Sequence, residues 1–300
     1  VATACGKVIL LGEHAVVYDV PAIAAGIDRG ARATARVAAE PCLRLAGVEY
    51  ANPDDGGLGS AFAALTAALG GGAFDVSVES ELPPGCGLGS SAAMGVAAAR
   101  AVLEARGEAD DPERVLAAAQ AWERVFHGNP SGIDTQAATR GGCIWFSRSE
   151  GATRLRLPIP LCLAIAVAGP PASTKLMVAE VARLKQRRPE VFAKSLEGIR
   201  SLVKNARLAV EAGDVPGLGR LMDLNQMLLS GLMVSTAEIE QACRIAREAG
   251  AFGAKLTGAG GGGAVVAVCD RDPAPILRAW KDAGLDCFST TVESSGEEQS

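Results

Sequence analysis

The stretch "LPPGCGLGSSAAMGVAAARAVL" (82–103) constrains the fold of this chain more tightly than any other. Glycines and serines end where an alanine-rich helix begins, so the backbone is bare at the mouth of that helix. Unpaired N–H groups and the positive end of the helix dipole meet there, and a phosphate is the usual ligand for such a place. A tight turn with a serine cap would use the same residues. Two further passages share this character, "GKVILLGEH" (6–14) and "KLTGAGGGG" (255–263). The last carries five glycines between Gly258 and Gly263. A hairpin needs only one or two, so the run implies close approach of another backbone or of a phosphate chain.

None of the three fits the Walker A spacing, because no Gly-Lys-Ser/Thr follows at the required distance. "GCGLGS" also lacks the third glycine of the dinucleotide-binding fingerprint, and no acidic residue ends a following strand about 20 residues on. A single glycine-rich loop is weak evidence, but three in one chain point to a nucleotide.

Strands and helices are mixed without regular βαβ alternation, which indicates an α+β fold. "KVILLG", "ARATARV" and "CLRLAGVEY" read as strands, and "FDVSVES" alternates with Phe74, Val76 and Val78 on one face. Helices are expected over about Ser90–Ala105 and Pro112–Phe126, the second capped by Asp111 with Pro112 at its first position. "GGCIWF" and "CLAIAVA" return to strands, and the turn-rich "RLPIPL" (156–161) between them marks a domain boundary, giving domains 1–156 and 157–300. Beyond it, helices are expected near 174–187, 190–212, 215–230, 236–249 and 273–283. "AKLTG" and "AVVAVC" form a hairpin around the glycine run, "CFSTTVE" is a last strand, and "SSGEEQS" a frayed tail.

Apolar residues make up 49% of the 300 and charged residues 21%, a globular balance with aromatics at only 4%, so alanine and aliphatic residues must build the core. The net charge of −5 argues against a general nucleic-acid binder, and the basic run "KQRR" (185–188) has no interleaved aromatics. The eight cysteines include no C-x-x-C pair, and with two histidines neither a zinc site nor a disulfide framework is suggested. No apolar run approaches a membrane span, and "VATACGKVIL" has no signal-peptide pattern, so a cytoplasmic location is expected.

Both histidines lie in motif-like segments, His14 in "GEHAVVY" and His127 in "VFHGNPSGID". A hydrolase triad from His127, Ser131 and Asp134 is disfavoured, since eight contiguous residues around Gly-Asn-Pro rarely give that geometry and G-x-S-x-G is absent. Asp134 lies in the turn-forming "NPSGIDT", and a reversal at Gly128–Pro130 could bring it to Glu123 on the last turns of the preceding helix. One carboxylate could then hold Mg²⁺ while the other orients or deprotonates a hydroxyl. Spacing alone favours an exposed helix glutamate and a turn aspartate.

Together these segments resemble the GHMP kinase superfamily of small-molecule kinases. "GKVILLGEHAVVY", "ELPPGCGLGSSAA", "HGNPSGIDT", "STKLMVAEV", "LMDLNQMLL" and "KLTGAGGGGA" carry the resemblance across nearly the whole chain. It implies an N-terminal domain like ribosomal protein S5 domain 2, a ferredoxin-like C-terminal GHMP domain, and an active site in the cleft between them. It also implies ATP and Mg²⁺ as cofactors, mevalonate as the small-molecule substrate phosphorylated on its C5 hydroxyl, and a homodimer. Gly85, Cys86, Gly87, Leu88, Gly89, Ser90 and Ser91 match the phosphate loop, with Cys86 serving as a small residue, and Ser80 matches a nucleotide-contacting serine. Ser91 and Glu123 match the magnesium ligands, Asp134 the proposed base, and Lys7 the lysine that lowers the hydroxyl pKa and steadies the phosphoryl group. Glu13 and His14 fall where the first motif faces substrate, and Thr257 with its glycines lies beside the phosphates. Asp19 stands where the family usually has glycine, Cys5 where it often has proline, and Ala264 where it often has cysteine. The rivals are a kinase of the same superfamily acting on phosphomevalonate, and a non-catalytic ligand sensor on the same fold.

Overall fold

A computed structural model describes every residue except 51–56, 129, 171 and 295–300. All but the first residue of the expected frayed tail therefore lie outside the described residues. The chain clusters into two compact units, each discontinuous in sequence. One comprises Val1–Lys7, Arg29–Pro84 and Gly89–Gly141; the other comprises Val8–Asp28, Gly85–Leu88 and Gly142–Ser300. They interleave along the chain, whereas the division expected at "RLPIPL" is a single cut.

Two long strands pass from one unit to the other, β1 (Ala2–Leu11) and β2 (Ala22–Val37). In the first unit, β3 (Cys42–Leu45) and β4 (Val48–Tyr50) form a hairpin. Helix α1 (Leu58–Ala68) and strand β5 (Phe74–Ser80) follow. β5 pairs parallel with β3 and antiparallel with the second half of β2, so the strand order is β4-β3-β5-β2. Phe74, Val76 and Val78 are buried as their alternation requires. Asp75, on the other face, is buried as well, because Arg36 and Arg44 on β2 and β3 pair with it. Those guanidiniums, Arg36 first, hold its carboxyl below the usual range.

Three helices complete this unit: α2 (Ser90–Ala105), α3 (Pro112–His127) and α4 (Ile133–Arg140). The Asp111 carboxylate accepts from Glu113 N and Arg114 N at the start of α3, the capping its sequence indicates. Alanines and Gly95 let α2 pack closely; a Cβ on Gly95 would meet the Trp122 ring at 3.0 Å. α4 corrects the sequence reading: Asp134 is the second residue of a helix, not part of a turn, with left-handed Gly132 at the N-cap.

The second unit contains β6 (Cys143–Ser147) and β7 (Gly151–Arg154), and β6 pairs with the first half of β2. β8 (Leu161–Gly169) is followed by helices α5 (Thr174–Arg187), α6 (Pro189–Ala212), α7 (Val215–Gly231) and α8 (Ala237–Glu248). β9 (Gly253–Leu256), β10 (Gly263–Cys269), α9 (Ala274–Asp282) and β11 (Asp286–Val292) close the chain. The sheet order is β11-β8-β10-β9, antiparallel throughout. All seven residues of β10 are buried, as a central strand between covered faces requires. No helix of the described residues is long and apolar enough to cross a membrane.

Candidate active site

Lys7, in the first unit, ends the part of β1 that belongs there, and its side chain is only 2% exposed. Its Nζ lies 3.2 Å from Asp134 Oδ1 on the first turn of α4, and Asp134 is 39% exposed. The lysine is thus a buried cation whose partner opens to solvent. Gly89 makes room for it: at φ +76° it caps α2, and a Cβ there would stand 2.9 Å from Lys7 Cγ. The glycine is required twice, by its left-handed backbone and by the lysine stem.

Beside this pair, Ser91 on the first turn of α2 donates its hydroxyl to Glu123 Oε1 on α3. Trp122 Nε1 donates in turn to Ser91 Oγ at 3.2 Å. His127, one helical turn beyond Glu123, places Nε2 3.5 Å from Glu123 Oε2. Burial raises the Glu123 carboxyl to about 7, with Asp134 adding to the rise and the Ser91 bond and Lys7 opposing it. Burial also lowers His127, so the imidazole is neutral at pH 7. Glu123 and Asp134 are in electrostatic contact, with Glu123 buried rather than exposed, while residue 129 of the expected reversal lies outside the described residues.

A hydroxyl and a carboxylate are hard oxygen donors that suit Mg²⁺, which keeps most of its shell for water and phosphate oxygens. Among the described residues no group of three or more His, Cys, Asp or Glu forms a ready metal cage. Glu123 nevertheless fits such an ion, because a buried carboxylate pushed to about 7 regains its charge beside a cation. Ser80, expected to touch nucleotide, puts its hydroxyl 3.2 Å from Ser90 Oγ and accepts from Leu82 N. It braces the strand leading to the loop against the start of α2.

In the second unit, bare backbones meet one another. Gly87 lies against Thr257 and Gly258; a Cβ on Gly258 would reach Gly87 Cα at 2.7 Å. Gly260 and Gly262 press on the carbonyls of Val234 and Pro170. Backbone approach is therefore one reason for the glycine run. Gly85 is left-handed at φ +73°, Cys86 is buried and its carbonyl accepts from Ala264 N, and Leu88 is core. Thr257 Oγ1 accepts the Ile9 N–H at 2.8 Å, tying the third passage to the first.

Glu13 and His14 have different surroundings. The Glu13 carboxylate pairs with Lys255 on β9, both side chains fully buried, and its other oxygen accepts from Asn225 Nδ2 at 3.2 Å. His14 Nε2 lies 2.8 Å from the Ala259 carbonyl, so Nε2 carries the proton and Nδ1 is left as a buried acceptor with no partner among the described residues. Burial, with Lys255 nearby, keeps the ring neutral. Asp19 adopts a left-handed conformation of the kind glycine favours (φ 58°) and accepts from Ser149 N.

Trp122, Asn225 and Lys255 escaped the sequence reading. Trp122 resembles any core aromatic of an amphipathic helix. Lys255 left a signal, as the charged member of the strand "GAKL" beside the all-apolar "GAVVAVC".

The family model for the GHMP kinases N terminal domain matches residues 53–142, and that for the GHMP kinases C terminal matches 206–285. The chain belongs to the GHMP kinase family, whose members are ATP-dependent small-molecule kinases. Within it, the chain is 35% identical to the mevalonate kinase of Methanothermobacter thermautotrophicus, over 93% of this chain and 95% of that one. It is 32% identical to the mevalonate kinase of Thermococcus sibiricus, over 98% and 96%. The crystal structure of L. major mevalonate kinase in complex with R-mevalonate superposes with a TM-score of 0.87 at 30% identity, covering 98% of this chain and 96% of that one.

Proposed function

We propose that this chain transfers the γ-phosphate of ATP to the C5 hydroxyl of mevalonate, giving 5-phosphomevalonate for isoprenoid biosynthesis. The relatives named above support the substrate, and one observation carries the chemistry: the buried Lys7 cation 3.2 Å from the half-open Asp134 carboxylate. Phosphoryl transfer depends on positioning and charge stabilisation rather than on covalent catalysis.

In this reading Asp134 Oδ1 or Oδ2 accepts the hydroxyl proton as the oxygen attacks phosphorus. Lys7 favours the developing alkoxide and steadies the transferring phosphoryl group. Gly85, Cys86, Gly87, Leu88, Gly89, Ser90 and Ser91 receive the ATP phosphates on backbone N–H groups, Ser80 braces them, and Thr257 borders the phosphates. Ser91 and Glu123 would hold Mg²⁺, which when bound neutralises charge on the phosphate oxygens. His14 offers Nδ1 to a substrate hydroxyl, while Glu13 acts from inside the fold. A homodimer, a cytoplasmic location and folding domains at 1–156 and 157–300 belong to the same proposal.

The test is ADP release from MgATP with mevalonate, phosphomevalonate or no acceptor. Mevalonate should support turnover at least about 100-fold above either control. Equal rates with phosphomevalonate would move the chain to the other kinase, and no turnover with any acceptor would favour a ligand sensor.

A further inference from the structure

His14 sits in an unusual backbone. Its φ of 59° and ψ of −44°, with Ala15 N donating to Glu13 O at 2.6 Å, describe a γ-turn of the rare, strained form. A non-glycine residue persists there only when its surroundings over-determine it. Gly12 before it has φ +104°, and a Cβ there would collide with Ala22 Cα at 2.6 Å. The turn is thus pressed against β2, and its ring is tied to Ala259 O.

The residue preceding the strained one, Glu13, carries a fully buried charge paired with an equally buried Lys255. Lys255 Nζ donates to Glu13 Oε1, to Leu256 O at 2.5 Å and to Ile9 O at 3.4 Å, using all three ammonium protons. Glu13 also takes the Asn225 amide. Asn225 lies on α7, Lys255 on β9, and Ile9 and Glu13 at the end of β1 and the turn beyond it. One ammonium therefore joins the end of β1 to the sheet and, through Glu13, to the helix. A buried ion pair is a poor way to gain stability compared with apolar packing, so its retention calls for another role. Beside it lies a buried, neutral imidazole held at Nε2, its Nδ1 without a hydrogen-bond partner among the described residues.

We propose that Lys255 is a positioning residue which, through Glu13 and Asn225, locks the γ-turn at His14 and so presents its Nδ1 as a fixed hydrogen-bond acceptor for a hydroxyl of the phosphoryl-acceptor substrate. The inference rests on the kinase reading for the identity of that hydroxyl, but the turn and the tautomer do not depend on it.

The first experiment uses the unsubstituted protein. With only two histidines, long-range ¹H–¹⁵N spectra resolve both rings, and His127→Gln assigns them. His14 should show a single neutral tautomer with the proton on Nε2. Mevalonate should shift the Nδ1 resonance toward a hydrogen-bonded acceptor and leave Nε2 in place. A proton on Nδ1, or a mixture of tautomers in the free protein, would overturn the proposal.

The second experiment removes the device. Lys255→Met alone strands the Glu13 charge, so the informative variant is Glu13→Gln with Lys255→Met, which keeps volume and removes both charges. The expected result is a folded protein whose His14 tautomers mix and whose KM for mevalonate rises about tenfold, the equivalent of one lost hydrogen bond, with KM for ATP within about twofold. General weakening of the fold would move both constants together. Unchanged mevalonate KM and unchanged ¹⁵N shifts in the folded double variant would refute the role of Lys255. If the unsubstituted protein fails to turn over mevalonate, the kinase reading fails, and the ¹⁵N spectra still judge the positioning device.

Discussion

Replacing Glu123 by Gln should make the metal-free protein more stable at alkaline pH while abolishing its function. Burial raises the Glu123 carboxyl from an ordinary 4.5 to about 7. A carboxyl whose folded pKa is raised favours the folded state when protonated. Its contribution is complete below about pH 4.5 and is lost as pH rises through 7. At about 1.4 kcal/mol per pH unit, the ionised carboxylate costs the fold roughly 3 kcal/mol above pH 8. Glutamine keeps the acceptor for the Ser91 hydroxyl, and neutral His127 can accept from its amide. Glu123→Gln should therefore match the parent in denaturant titrations at pH 4 and exceed it by up to about 3 kcal/mol at pH 8.5 without divalent cations. Added Mg²⁺ should narrow the gap by stabilising only the parent. A variant less stable than the parent at pH 8.5, or a difference independent of pH, would refute the assignment of Glu123 as a destabilised, cation-seeking carboxylate.

Asp134→Asn should leave nucleotide affinity within a few fold, by equilibrium fluorescence titration, while kcat falls about 10²- to 10⁴-fold, the usual span for a lost general base; near-normal turnover would remove Asp134 from proton transfer. Trp122→Phe keeps the ring but withdraws the N–H that orients Ser91, so the dissociation constant for Mn²⁺ read by electron paramagnetic resonance should rise about three- to tenfold with the mevalonate KM unchanged. Gly89→Ala should cost about 1–3 kcal/mol for its left-handed backbone alone and displace the Lys7 stem, lowering both the melting temperature and kcat. An unaltered melting curve would contradict the geometry at that cap.

The parts of the fold that sequence disclosed are those whose stabilisation is local. Asp111 and Pro112 announce the start of α3 by their own chemistry, and "FDVSVES" shows its inward face by alternation. α1 and α4 were missed because each begins at a left-handed glycine with no side-chain cap, Gly57 and Gly132, and glycine signals a turn as readily as a helix start. Site residues were legible where a motif carried them, as for Lys7, Ser91 and Asp134. Their protonation was not, since the rise at Glu123 depends on how deeply α3 buries it. The Lys255–Glu13 pair was invisible for another reason: 242 residues separate its members, and only the folded sheet joins them.

The meeting of Gly87 with Gly258 bears on how such a chain can vary. A Cβ on Gly258 would strike Gly87 Cα at 2.7 Å, and one on Gly87 would strike the Thr257 carbonyl oxygen and crowd Gly258 Cα at 3.3 Å, so changing one cannot be compensated by shrinking its neighbour, whose obstructing atoms are backbone and cannot be removed. The two positions form a locked pair, closed to stepwise substitution in either order. A mutational library that randomises either loop should recover glycine at both positions from the survivors, whatever activity is selected, because the lock belongs to the backbone and not to the chemistry it serves.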